Sequence, residues 1–257
     1  METLDLRSLL EEKARLYNCP EFIKEDPISI PHSFSAREDI EISGFLAATI
    51  AWGQRTTIVK NGFRLMDIMD NSPYEFVLNA GASDLRRLSG FVHRTFNGDD
   101  ALFFIESLRN IYLNHQGLEA AFSSGIQTGD ADVYNGLCTF REIFLNSPHM
   151  QRSGKHIANP ASGSSAKRIN MFLRWMVRND EKGVDFGIWK SISPSLLCCP
   201  LDVHVGNVAR KLGLLERTQN DWRSVEELTG RLRTFDPVDP VKYDFALFGM
   251  GVFEKGK

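Results

Sequence analysis

The run Asp39–Trp52, DIEISGFLAATIAW, is apolar on most of its helical faces. A helix of that kind belongs in an interior, so other helices have to enclose it. Ser35 and Glu38 form an S-x-x-E capping box ahead of it, and Gly53 ends it. Gln54-Arg55-Thr56-Thr57 starts a further helix through Met69. Ser72-Pro73-Tyr74-Glu75 is a second capping box, with proline at the first helical position. Apolar residues recur at helical spacing over Leu4–Tyr17, Asp99–His115, Leu118–Ser123, Ala131–Leu145 and Asp221–Phe235. Asp239-Pro240 then caps a last helix, VKYDFALFGMGVF. The arm IKEDPISIPHSF and the stretch Asn146–Ser165 read as non-helical connections. With no internal repeat and no alternating strand pattern, the fold class expected is all-α.

A chain of 257 residues, 42% hydrophobic and 25% charged, can bury a full core in one domain or two intimately packed ones. No apolar run approaches the roughly 18 residues a membrane helix needs. METLDLRSLLEEK lacks a signal-peptide pattern. These features predict a cytoplasmic protein with no membrane partner. Four cysteines fit a reducing compartment, and adjacent Cys198 and Cys199 read as buried small residues. No Cys/His spacing supports a metal or an iron–sulfur cluster, so no cofactor is expected.

The net charge is −3, yet Met150–Lys211 carries ten Lys/Arg against four Asp/Glu, leaving +6 there and −9 elsewhere. One reading is a solvated helix face of Arg174, Arg178 and Lys182. The other is a basic footprint for an anionic partner.

Two residues in that stretch carry chemistry. Lys167 follows Gly163-Ser164-Ser165, with Ser164 or Ser165 as the expected cap, and falls in the first turn of a helix. Free amides and the positive dipole end there suit a phosphate and favour the neutral amine a nucleophile needs. Asp202 is the expected N-cap of Val203–Leu212, which Gly213 terminates. An ionised carboxylate beside an amine can help deprotonate it and stabilise positive charge developing on a sugar. His204 is a candidate phosphate contact, with no catalytic role assigned.

PLDVHVGNVARKLGL resembles the PVDTHVxRVxxRLGL segment of the helix-hairpin-helix DNA glycosylase superfamily, whose aspartate is the catalytic acid group. That resemblance implies the same role for Asp202. SSAKRINMFLRWM is similar to the helix that bears the Schiff-base lysine in archaeal 8-oxoguanine glycosylases, which maps onto Lys167; a long lysine-to-aspartate separation is shared with them. FLAATIAWGQRTT resembles the LVxxILSQQT helix and puts Gln54 at the position facing the damaged pair. YDFALFG resembles the archaeal base-pocket segment and nominates Asp244 and Phe248. The chain as a whole is similar to a bacterial family carried as a domain of unknown function, with FVHRTFNG and KRxxMFLRWMVR as recurring blocks. Two departures stand out: ASGSSAKR replaces the LPGVGxK hairpin, and the iron–sulfur cysteines of the endonuclease III branch are missing.

The resemblance implies a helix-hairpin-helix glycosylase-like fold, with a cleft between a central subdomain (35–165) and a second one (1–34 plus 166–257). It implies a monomeric N-glycosylase/AP lyase acting on an oxidised purine in damaged double-stranded DNA, located at the nucleoid. Lys167 and Asp202 would be catalytic. Trp52, Gln54, Asp244 and Phe248 would hold base or strand, and Lys155, Arg168, Arg174 and His204 would contact phosphates. The alternative is a non-catalytic DNA- or RNA-binding protein on the same scaffold, and a third reading is a helical scaffold whose basic stretch is merely solvated.

Overall fold

Residues 3–254, which the computed structural model describes, form twelve α-helices, several short 3-10 turns and one two-stranded hairpin. Helices α1 (Thr3–Tyr17), α2 (Arg37–Thr49), α3 (Arg55–Ile68), α4 (Pro73–Asn79) and α5 (Ala82–Leu88) come first. The hairpin of β1 (Val92–His93) and β2 (Phe96–Asn97) follows them. Then come α6 (Gly98–Asn114), α7 (Leu118–Ser123), α8 (Tyr134–Leu145) and α9 (Lys167–Val177). The last three are α10 (Val203–Lys211), α11 (Trp222–Phe235) and α12 (Tyr243–Phe253). The fold is helical, as the periodicity predicts. Among the described residues, no helix is long and apolar enough to cross a membrane.

Contacts divide the chain into two units. One comprises the chain up to Phe22, Gly129–Val133 and the chain from Asn159; the other comprises Ile23–Thr128 and Tyr134–Ala158. Relative to the boundaries drawn from sequence, residues 23–34 go with the central unit and 159–165 with the other.

Helix α2 is buried from Ile40 through Thr49. Phe45 meets the rings of Phe104, Phe140 and Phe144 at 5.9, 5.6 and 5.5 Å. Its one buried carboxylate, Glu41, accepts from Tyr112 Oη at 2.7 Å and Arg37 Nε at 2.9 Å. The Ser35 capping box does not form: the helix begins at Arg37, and Ala36 is its cap, with no side-chain bond. At α4, Ser72 is the cap and Pro73 the first residue, but Ser72 makes no capping bond. Asp39 of α2 accepts the Tyr74 N–H at 2.9 Å instead, satisfying that helix end from outside.

The hairpin is the element that periodicity misses, because two residues per strand are too few to alternate visibly. It is the block FVHRTFNG. Arg94 takes φ 56° in its two-residue turn. Phe91 and Phe96 are fully buried. A Cβ on Gly98 would lie 2.2 Å from the Ser89 carbonyl oxygen, so no larger residue fits there. Asn97 and Asp100 then close a reciprocal capping box on α6.

In the other unit, α12 lies against α1 and α10 through two glycines. A Cβ on Gly249 would stand 2.1 Å from Tyr17 Cδ2, and one on Gly251 would stand 3.0 Å from His204 Cβ. Gly249→Ala is therefore expected to lower stability by about 1–3 kcal/mol. Gly230, exposed in the middle of α11, has nothing within 4 Å of its Cβ position. Gly230→Ala should raise stability by about 0.5–1 kcal/mol. Urea unfolding of both variants checks the pair; equal effects at both positions would contradict this packing.

Candidate active site

Helix α9 carries Lys167 at its first position and is buried from Ile169 to Val177. Its cap is neither serine. Ala166 caps it in the left-handed region (φ 48°, ψ 32°), and Ser164 Oγ accepts the Ala166 N–H at 3.2 Å. Such a conformation costs a non-glycine residue about 1–2 kcal/mol. Burial of Ala166 offsets it, as does Asn170, whose Nδ2 donates to the Ser165 carbonyl at 3.2 Å. The loop amides before the helix face inward. Ser162, Gly163 and Ser164 donate to the Asn159 and Pro160 carbonyls, and Trp222 N–H returns to the Gly163 carbonyl. Anion binding at this end is left to the first-turn amides of α9 itself.

Asp202 caps α10 as predicted, its Oδ1 accepting the Val205 N–H at 2.9 Å. The other end closes on Gly213 (φ 71°), with Leu214 N–H bonded to the Ala209 carbonyl and Gly213 N–H to the Arg210 carbonyl, a Schellman motif. The two helix starts are neighbours: Ser165 Oγ, two residues before Lys167, donates to the Leu201 carbonyl, one before Asp202, at 3.4 Å. Lys167, Asp202 and His204 are each half-buried.

Asp244, in the first turn of α12, is the third member. It is buried, and its Oδ2 accepts from Arg174 Nη1, while Oδ1 lies 3.9 Å from Cys199 Sγ. Burial pushes its pKa up to about 6; Arg174 opposes that rise, Asp202 adds to it, and Lys167 opposes it again. One buried carboxylate thus feels the charge of both Lys167 and Asp202. The Cys199 thiol is itself held well above its ordinary range, by burial first and then by Asp244.

Arg174 is not a surface phosphate contact. It is 3% exposed; besides Asp244 it donates from Nε to Asp185 Oδ1 at 3.2 Å, and its guanidinium lies 4.2 Å from the Phe245 ring centroid. Arg178, one turn on and 4% exposed, bonds Asp239 at 2.9 Å, Asp185 at 3.1 Å and also Asp180. The solvated Arg174–Arg178 face is thereby overturned, since both cations point into the core. Elsewhere in the basic stretch, Arg152 is taken by Asp100 and Asn97, Lys190 by the Gly187 carbonyl, and Arg210 by the Arg217 carbonyl. Half of its ten cations are thus turned onto the protein.

Among the other nominated residues, Arg168 is half-buried, and burial draws its pKa down to about 10. Phe248 meets the edge of Phe22 at 6.1 Å. Gln54, Trp52 and Lys155 belong to the second unit. Gln54 is the exposed cap of α3 and makes no capping bond with its side chain; Lys155 is exposed. Trp52 is half-buried, edge-on to His93 at 5.1 Å and stacked on His156 at 5.8 Å. His93 Nδ1 stands 2.8 Å from Asn61 Nδ2 and Nε2 stands 3.1 Å from the Trp52 carbonyl, an arrangement of neutral imidazole, and burial lowers its pKa. Among the described residues, no group of three or more His, Cys, Asp or Glu could hold a metal ion.

The family described as "Protein of unknown function (DUF2400)" matches residues 26–253. The chain belongs to that family. No curated protein and no solved structure matches it. The DUF2400 match spans Lys167, Asp202, Asp244 and the buried arginines.

Sequence reasoning passed over Arg178, Asp180, Asp185 and Asp239 in this DUF2400 chain. Asp239 looked like a helix cap, but its carboxylate makes no capping bond and serves Arg178. The available signal was two arginines four apart in a helix whose other residues are mostly apolar. Asp185 bridges both guanidiniums. Asp185→Ala should cost about 3–5 kcal/mol in urea unfolding, as expected when a buried ion network loses one partner. A loss below about 1 kcal/mol would mean that the network does not hold α9.

Proposed function

We propose that this protein is a DNA N-glycosylase with associated lyase activity, acting on an oxidised purine in double-stranded DNA. Lys167 is the nucleophile and Asp202 the acid group. The observation that carries this reading is the meeting of two helix starts, through Ser165 and the Leu201 carbonyl, with Asp244 feeling the charges of both residues. The positive ends of α9 and α10 suit a phosphate and disfavour an ammonium at Lys167.

In this mechanism the base is extruded from the duplex. The neutral Lys167 Nζ bonds to C1′ as the C1′–N9 bond breaks, and the bonding pair leaves with the base. Asp202 takes the proton shed by the new ammonium and delivers it to the departing base. It also stabilises the positive charge that builds on the sugar. The O4′–C1′ bond then opens, O4′ takes up a proton from solvent, and the Lys167 nitrogen is left in a Schiff base. Loss of a C2′ proton expels the 3′ phosphate with its C–O pair, and water hydrolyses the Schiff base to return the amine. Asp202 Oδ1 is occupied by the Val205 N–H, so Oδ2 is the oxygen that would receive the proton.

A purely electrostatic nucleic-acid-binding role has less support, because Arg152, Arg174, Arg178, Lys190 and Arg210 are turned onto the protein. The test is borohydride trapping on duplexes bearing single oxidised purines. A covalent adduct is expected, absent in Lys167→Ala and formed about 100-fold more slowly in Asp202→Asn. No adduct on any duplex contradicts the lyase chemistry. Salt-dependent binding without base release would favour the binding reading instead.

A further inference from the structure

Lys167 and Arg174 are seven residues apart on α9, which places them on one face of the helix. Arg174 reaches Asp244 on that face, so the face that begins with Lys167 is the one turned to the first turn of α12. From the other side, Asp244 Oδ1 lies near Cys199 Sγ, three residues before Asp202 in the loop that enters α10. The Cys199 N–H is fixed in turn by Thr229 Oγ1 of α11 at 3.0 Å. One buried carboxylate is thus tied to the helix carrying the amine and to the loop carrying the acid group.

We propose that Asp244 is a positioning residue for the Lys167–Asp202 pair: it holds α9 against the entry to α10, and its charge governs how readily Lys167 gives up its proton. The base-contact role nominated for Asp244 is replaced by this one, since the side chain is buried behind Arg174 and Cys199. The proposal rests on the reading of Lys167 as the nucleophile. The groups acting on Asp244 are Arg174 and Lys167 from α9, Asp202 from α10, and Cys199 from the loop before it. Asp185 shares Arg174, and His204 of α10 packs against Gly251 on the same helix as Asp244.

An ionised Asp244 favours the charged form of Lys167, and a protonated one does not. Above pH 6 the carboxylate therefore restrains the amine; below pH 6 the restraint lifts. Competitive labelling with trace fluorodinitrobenzene, read at Lys167 by peptide mass from pH 5 to pH 9 without DNA, measures this. The logarithm of the rate should rise along two parallel lines, the acid one lying about threefold above the extension of the other, with a break near pH 6. In Asp244→Asn the break should vanish, with labelling about threefold faster at pH 8 and unchanged at pH 5. His204→Gln should retain the break, which separates it from imidazole titration and keeps the test open if Asp244→Asn does not fold. A single unbroken line for the wild-type protein overturns the assignment. Because no DNA is present, a break without borohydride trapping would sink the lyase reading and leave Asp244's role standing; trapping without a break would do the reverse.

Discussion

Two guanidiniums inside the protein constrain everything around α9. An unpaired buried charge is worth many kcal/mol against folding, so each arginine must bring carboxylates inside with it. Arg174 and Arg178 draw theirs from separate stretches: Asp180 and Asp185 just beyond α9, Asp239 before α12, and Asp244 within it. Any other packing of α9 against α12 would strand at least one of these groups. Burial pushes Asp239 upward, while Asp180, also opposed by burial, is held down by Arg178. The balance is maintained jointly by the set.

Such a network is a poor way to gain stability, since well-packed apolar residues of similar size often do as well or better. What it gives instead is a defined register. With α9 fixed by Arg174 and Arg178, its first residue Lys167 is brought to the entry of α10, where Asp202 caps the neighbouring helix. The glycines of α12 serve the same arrangement, Gly251 admitting the backbone of α10 at His204. The chemistry proposed for the pair depends on this placement.

Much of this was legible in the residues. Capping and periodicity marked α6, α7, α10 and α11 closely, because each has its own polar cap or glycine stop; Asn97, Asp202 and Asp221 all bond first-turn amides. Where the signals misled, a tertiary partner had intervened. Asp39 caps α4 in place of Ser72, and Asp239 serves Arg178 rather than a helix end. Lys167 and Asp202 could be nominated by resemblance and helix position, but their neighbourhood could not be read from spacing alone. It follows from Ser165 meeting Leu201 across a long stretch of chain. The basic stretch misled most, since charge counting cannot distinguish an arginine in solvent from one enclosed by aspartates.

The central claim is that Lys167 and Asp202 share one buried carboxylate. A carbon NMR titration of the Asp244 carboxyl tests it directly. The wild-type midpoint should lie near 6, well above an ordinary aspartate. Asp202→Asn removes a negative neighbour and should lower the midpoint; Lys167→Ala removes a positive one and should raise it. A midpoint in the usual carboxylate range, or one that neither substitution moves, would contradict the account.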